Sequence, residues 1–297
     1  FPRTEKRWIP ERGLAAAQQY PSLVPILPFR AVLLSYLMPF GRIREVPVSA
    51  ILTLSHIQFQ YPAFRPGQDP VPVLHDLSFS LESGEKVGLI GSNGVGKSTL
   101  LKLVVGLLPL QEGTLIVGDQ PLTPQNLPVI RRKTGYVFQD SESQLFMPTV
   151  ESDVSFALRN AGLPAEEVEG RTAAALEKVG MEELAQRQIY RLSGGQKKLT
   201  AIAGLLVQDP DLLLMDEPSA ALDPRNRRKL TEILRRLPCA QLIASHDLDF
   251  IWDTCERVIL LSDGWIQEDG PAHEVLSNQA LLESCGLELT MRLQKEI

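Results

Sequence analysis

Gly91-Ser92-Asn93-Gly94-Val95-Gly96-Lys97-Ser98-Thr99 fits the pattern G-x-x-x-x-G-K-[ST] at every fixed position. Lys86 to Ile90 runs into it as an apolar strand, and Thr99 to Val105 runs out of it as a helix, so its glycines fall where the chain must turn sharply. Without Cβ atoms there, successive backbone N–H groups can point inward at phosphate oxygens, and the helix start adds partial positive charge. Lys97 is placed to reach the β- and γ-phosphates, the Ser98 hydroxyl to take one position on Mg²⁺, and Thr99 to support a neighbouring phosphate. A glycine-rich turn in an unrelated α/β protein would need neither the lysine nor the hydroxyl. The stretch implies a nucleoside triphosphate and leaves its use open.

Around that loop the chain alternates strand and helix. Ile51 to Tyr61 and Val73 to Leu81 alternate apolar with polar residues across a Pro/Gly-rich turn, Pro62 to Pro72, which reads as a hairpin. Gly113 to Gly118, Gly135 to Phe138, Leu212 to Met215, Gln241 to Ser245 and Arg257 to Leu261 read as strands. Residues 150 to 160 and 165 to 179 carry apolar side chains at three- and four-residue spacing and read as an inserted helical block; Pro224 to Arg236 and Leu248 to Thr254 are further helices. The fold class expected is α/β: a mostly parallel sheet covered on both faces, with an antiparallel β subdomain and an inserted helical subdomain at about 140 to 200.

With 297 residues, 44% hydrophobic and 22% charged, the chain can build one substantial core. Its net charge of −6 is uneven: residues 1 to 50 are net +4, so the body is acidic, which argues against a nucleic-acid partner. Cys239, Cys255 and Cys285 are odd in number and lack C-x-x-C spacing, so no disulfide framework or zinc site is implied. Residues 1 to 50 form a basic, proline-rich extension expected to stand outside the fold. Its apolar run Ala31 to Met38 is far short of the ~20 residues that span a bilayer. The chain opens on Phe rather than Met, and a truncated or wrongly started reading frame is the favoured account of that segment. The main domain is expected from 51 to 272, with a helical tail over 273 to 297 that either supports dimerisation or covers the core.

Asp211 to Pro218 is an apolar strand that delivers Asp216 and Glu217 at its C-terminal end, where ligands bind in open α/β sheets. Asp216 can hold Mg²⁺ through water, and Glu217 can orient the water that attacks a γ-phosphate. Adjacent strand residues face opposite ways, so a turn at Pro218 is expected to aim them. Leu192-Ser193-Gly194-Gly195-Gln196, followed by an apolar helix through Val207, makes a second anion cradle of hydroxyl, open backbone and helix dipole. One nucleotide has no need of two separated cradles.

Leu192 to Gln196, between a phosphate loop and Asp216-Glu217-Pro218, resembles the signature of the ATP-binding-cassette ATPases, and the resemblance covers about Ile51 to about Pro271. It implies roles for further positions. Gln139 would touch Mg²⁺ and sense the γ-phosphate, Ser219 to Asp223 would form the D-loop, and His246 would be the switch histidine, donating to the γ-phosphate. Tyr61 would stack on adenine. It also implies that two cassettes pack head to tail, so that Ser193, Gly194, Gly195 and Gln196 of one chain close on ATP held by the other, a copy of itself or a sister chain.

A narrower resemblance, in Val137 to Val150 and Asp153 to Phe156, is to the ATPases of energy-coupling-factor importers, above all the cobalt/nickel branch. It implies a membrane-embedded coupling subunit that docks at Glu151 to Phe156, a substrate-binding subunit, and a place on the cytoplasmic face of the membrane. A vitamin or other transporter is the alternative. A soluble switch ATPase is the rival class, but residues 140 to 191 leave no room for a coiled-coil insertion. Two positions depart from the family pattern: Leu199 stands where arginine is common and Ala221 where glycine is common, which leaves the anchoring of the signature helix and the subunit contact open.

Overall fold

The two alternating stretches near the start of the domain pair antiparallel as β1 (Ala50–Tyr61) and β2 (Val71–Glu82) in a computed structural model that describes residues 50–63, 65 and 67–294. The expectations for the basic extension fall outside those residues. In β1 the step from Leu54 to Ile57 would send a regular strand's side chains to the wrong face. A bulge absorbs it, with His56 and, on the facing strand, Asp76 in the left-handed region (φ 55° and 53°), so Leu52, Leu54, Ile57 and Phe59 are all buried. β3 (Lys86–Ile90) leaves this layer, while β4 (Glu112–Val117) returns to pair with β1 and β5 (Gln120–Pro121) turns back on β4, giving the order β2-β1-β4-β5.

The second sheet carries the site. β3, β6 (Thr134–Val137), β7 (Leu212–Asp216), β8 (Ala240–Ala244) and β9 (Arg257–Ser262) run parallel in the order β9-β3-β8-β7-β6, and β10 (Trp265–Pro271) pairs antiparallel with β9 at the edge. Every residue of β7 and β8 is buried, as strands covered on both faces must be. Their side chains divide between two cores. Leu212, Leu214, Leu242 and Ala244 pack toward the antiparallel sheet, and Leu213, Met215 and Ile243 toward the helices.

Helix α1 (Lys97–Val104) fills the space on the antiparallel-sheet side through Leu100, Leu101, Leu103 and Val104. α2 (Leu127–Lys133) precedes β6. α3 (Val150–Asn160), α4 (Ala165–Val179) and α5 (Gly194–Leu206) pack on one another and supply the second core. α6 (Pro224–Arg236) and α7 (Leu248–Thr254) link the last parallel strands. The chain closes with α8 (Ala272–Ser277), α9 (Gln279–Ser284) and α10 (Met291–Gln294). Of the tail's apolar residues, Val275, Leu276 and Leu282 are buried in the helical core, and Leu281, Leu287 and Leu289 pack against it.

The expected elements form, with small shifts. α1 begins at Lys97 rather than Thr99, because Gly96 at φ 109° completes the turn and the helix starts directly after it. α2 and β10 carry no clear sequence signal: α2 buries only Ile130, and β10 is a mostly polar edge strand with Trp265 exposed. The three cysteines are free and buried. No helix among the described residues is long and apolar enough to cross a membrane.

Arg257 ties the layers together. Its Nε and Nη2 donate to both Asp269 carboxylate oxygens (2.6 and 2.7 Å), and Nη1 donates to Glu85 and to the Ser80 carbonyl (3.0 Å each), so one guanidinium joins β2, β9 and β10. Removing it strands two carboxylates, at a cost reduced because water still reaches the side chain. Arg257→Met is expected to lower stability by about 1–2 kcal/mol in urea unfolding; an unchanged midpoint would show that the clamp contributes nothing.

Candidate nucleotide site

The phosphate loop is shaped by two glycines. Gly91 leaves β3 at φ 150°, so close to β9 that a Cβ would sit 2.4 Å from the Leu261 carbonyl oxygen. At Gly96 a Cβ would meet the Leu74 side chain at 2.5 Å. Only glycine fits either place. The loop turns back so that buried Lys97 donates through Nζ to the carbonyls of Gly91 (2.6 Å) and Ser92 (3.0 Å). Burial lowers the lysine's pKa, and the carboxylates of Glu217 and Asp216 pull the other way. The Ser98 hydroxyl donates to Asp216 Oδ1 at 2.9 Å, and Thr99 Oγ1 is 3.1 Å from the Tyr61 hydroxyl. Tyr61 therefore stands at the edge of the loop, its ring edge-on to Phe59.

Asp216 ends β7, buried, with the Tyr136 hydroxyl donating to its Oδ2 at 3.4 Å. Burial raises its pKa, with Glu217 adding to the rise and the Ser98 hydrogen bond opposing it. The turn that aims the two acids is not at Pro218, as expected, but one residue earlier. Glu217 itself is in the left-handed region, φ 48°, and this twist breaks the strand alternation and brings its carboxylate round to the end of the sheet. There it accepts from the Ser245 hydroxyl (3.1 Å) and the His246 backbone N–H (3.1 Å), with His246 Nδ1 2.9 Å away.

Four supporting residues were given no role of their own from sequence. Tyr136 and Ser245 touch the acids directly. Asp247 caps α7 by accepting from the Phe250 N–H, donates its own N–H to Ser245, and forms a two-pronged ion pair with Arg227 (2.9 and 3.0 Å). Ser245 and Asp247 flank His246 in sequence and were readable from that position; nothing in the spacing points to Tyr136 or Arg227.

Asn93, Gly94, Gly96, Lys97, Ser98, Thr99, Gln139, Glu217 and His246 line one cleft of about 380 Å³. All nine were singled out from sequence, on four separate segments. The donor set fits Mg²⁺: a hydroxyl and a carboxylate already paired, Ser98 and Asp216, and the amide of Gln139 in the wall, all hard oxygen donors that leave most positions to phosphate and water. A cation there would also offset the cost of ionising buried Asp216.

Ser193 to Gln196 and Asp223 do not line this cleft. Ser193 caps α5 in a reciprocal box: its Oγ accepts from the Gln196 N–H (3.3 Å), and the Gln196 side chain accepts from the Ser193 N–H (2.9 Å). The hydroxyl proton of Ser193 remains for another acceptor. Asp223 caps α6 without a reciprocal box: its Oδ1 accepts from the Arg225 and Asn226 N–H groups (2.9 Å each), and its Oδ2 takes a 2.6 Å bond from the Asn226 amide, a group that a Cβ on Gly195 would meet at 2.7 Å. Gly195 thus lies against Asn226, which in turn holds Asp223, within one chain.

Both departures from the family pattern have a physical reading. Leu199 is buried in the helical core, and the cation that holds the start of α5 is its neighbour Lys198, buried and donating to the carbonyls of Phe138 (3.1 Å) and Gln139 (2.9 Å). Burial lowers the Lys198 pKa to about 8 against the pull of Asp140, Asp216 and Glu217. Ala221 adopts φ 59°, a left-handed conformation that glycine takes without strain.

Residues 74–220 match the ABC transporter family. A putative ABC transporter ATP-binding protein of Geobacter sulfurreducens is 45% identical over 226 residues, 76% of this chain and 91% of that protein. The energy-coupling factor transporter ATP-binding protein EcfA1 of Lactiplantibacillus plantarum is 38% identical over 246 residues, 82% of this chain and 86% of its own length. Among solved structures, cbiO1 from Clostridium perfringens, part of the ABC transporter complex cbiONQ, is similar at a TM-score of 0.72 and 32% identity, covering 84% of this chain and 100% of that one. The ATP-binding cassette MJ0796, a dimer in a post-hydrolysis state with ADP and Pi, is similar at 0.67 and 27%, covering 74% and 98%.

Relieving the strained alanine should show in stability. Ala221→Gly is expected to raise the unfolding free energy by up to about 1 kcal/mol, measured by denaturant titration. A loss of stability would mean that the left-handed turn is not strained.

Proposed function

The chain belongs to the ABC transporter family of ATP-binding proteins, which hydrolyse ATP with Mg²⁺ to drive transport, and on that premise we propose that it powers an energy-coupling-factor importer, with cobalt or nickel ions ahead of vitamins as cargo. The observation that carries the ATPase assignment of residues is the single cleft in which Lys97, Ser98, Gln139, Glu217 and His246 converge while Ser193 stands outside it. Lys97, freed from the Gly91 and Ser92 carbonyls, neutralises charge on the β- and γ-phosphates. Backbone N–H groups of the glycine loop hold the phosphate oxygens, and Tyr61 stacks on the base.

Ser98, Asp216 and Gln139 would hold Mg²⁺, which withdraws negative charge from the phosphate oxygens when bound. Glu217, its carboxylate aimed by Ser245 and His246, accepts a hydrogen bond from the attacking water and orients it in line with the γ-phosphate. His246, more than half exposed at the cleft, turns toward the γ-phosphate and donates to it as charge develops. The second half of the site comes from another cassette. Ser193, with its free hydroxyl proton, and Gly195 at the N-terminus of α5 close on the triphosphate held by the partner.

The importer reading rests on the resemblance of Val137 to Val150 to energy-coupling-factor ATPases, and similarity to EcfA1 and to cbiO1 supports it. The docking place for the coupling subunit is the surface at Glu151 to Phe156. Phe156 and the neighbouring Phe146 stack edge to face at 4.7 Å, and both are exposed, Phe146 at 65%. Such an aromatic pair beside the segment that carries Gln139 suits an apolar helix end of a membrane partner. The chain would then work as a peripheral subunit on the cytoplasmic face.

Glu217→Gln tests the chemistry and the cargo together. It keeps the shape and one accepting oxygen but cannot take a proton, so ATP affinity should stay within about twofold and turnover fall by about 100-fold or more. In cells that co-express the chain with the coupling and substrate-binding membrane subunits of such an importer, uptake of radioactive cobalt or nickel should vanish with turnover. Turnover at the unaltered rate would refute the role of Glu217, and uptake of neither metal by the unaltered complex would refute the cargo.

A further inference from the structure

Lys198 is the buried ammonium that the hydrolytic scheme leaves unused. Its side chain is 3% exposed, and its hydrogen bonds go to two consecutive backbone carbonyls, Phe138 and Gln139, rather than to a carboxylate. Taking an ammonium out of water for two carbonyls is costly unless the contact fixes something. What it fixes is the exit of β6, where the chain leaves the sheet and Gln139 enters the wall of the cleft. The lysine belongs to α5, three residues beyond Gly195. The preceding Lys197 reaches the same segment, donating to Glu142 at 2.6 Å. The start of the signature helix therefore grips the Gln139 segment at two points, one buried and one at the surface.

We propose that Lys198 is a positioning residue that clamps the backbone of Gln139 to the signature helix, so that the two move as one body. This deepens the reading given above and rests on it. Gln139 faces the nucleotide held by its own chain, and Ser193 serves the nucleotide held by the partner. A displacement of Gln139 is then passed through a buried, charge-assisted contact to the half-site that the chain presents to its partner. Leu199, turned into the core, cannot perform this task, and Lys198 supplies the cation from one position earlier in the helix.

The test uses the full-length chain with three variants, Lys198→Met, Lys198→Arg and Ser193→Ala, and measures Mg-ATP affinity, kcat, KM and backbone hydrogen exchange. In Lys198→Met, ATP affinity and KM should stay within about twofold of the unaltered chain, while kcat falls by about tenfold. Hydrogen exchange should quicken at residues 138–144 and in the first turn of α5 and stay unchanged in β7 and β8. Lys198→Arg, which keeps the charge and the donors, should recover most of kcat. Three results would overturn the proposal. Full turnover in Lys198→Met beside an inactive Ser193→Ala removes the lysine's role alone. Exchange that quickens throughout the protein, with affinity and kcat falling in parallel and no recovery in Lys198→Arg, reduces the lysine to packing. Full turnover in Ser193→Ala instead removes the cross-site reading, and the clamp with it.

Discussion

The hydrogen bond from Ser98 to Asp216 is the constraint on which the site depends. Its partners are 118 residues apart in sequence, and their strands, β3 and β7, are separated by β8. Two strand spacings put them about 10 Å apart at the end of the sheet. The bond can form only if β8 is in register between them and α1 begins directly after Gly96. Each requirement is met by sequence. β7 and β8 are apolar on both faces, which fits only a central place in a two-sided sheet, and Gly91 and Gly96 turn the chain where any Cβ would collide.

From that bond the rest of the chemistry follows by short steps along the same edge. One residue beyond Asp216, the left-handed Glu217 redirects its carboxylate, and the end of β8 presents Ser245 and His246 to receive it. β6, on the far side of β7, brings Tyr136 under Asp216 and Gln139 into the wall. Two acids, two lysines and a histidine are thereby gathered in partly dry surroundings, where burial raises the pKa of Asp216 and lowers those of Lys97 and Lys198 while the two carboxylates pull both lysines the other way. Such a cluster is costly without a ligand. A triphosphate would meet Lys97 and its cation the two acids, while Lys198 is already held by the Phe138 and Gln139 carbonyls.

Much of this was legible because it rests on local rules. The phosphate loop needs glycines at sterically fixed points, the central strands need continuous apolar runs, and the inserted helices show their period plainly. The α/β fold and the segments that meet in the cleft were accordingly readable. What escaped depends on tertiary contact. β10 and α2 are half-exposed elements whose polar sequences carry no period, and the bulge that reconciles Leu54 with Ile57 is visible only once β2 is beside β1. The twist at Glu217 was assigned to Pro218 because a proline is a conventional turn former, while the actual strain is carried by the acid itself. Nothing short of the fold shows Lys198 buried under two carbonyls.

On the function proposed, the arrangement is complete only in halves. The cleft holds what a triphosphate and a water need from one chain, whereas Ser193, capping α5 with its hydroxyl proton unspent, and Asp223, in touch with Gly195 through Asn226, are presented elsewhere. The most direct measurement is an experimental structure of the assembly with Mg²⁺ and a non-hydrolysable ATP analogue. The account predicts Ser193 Oγ of one protomer at about 3 Å from a γ-phosphate oxygen gripped by the partner's Lys97. Ser193 still engaged only with Gln196, with no nucleotide near it in any pairing of chains, would contradict it.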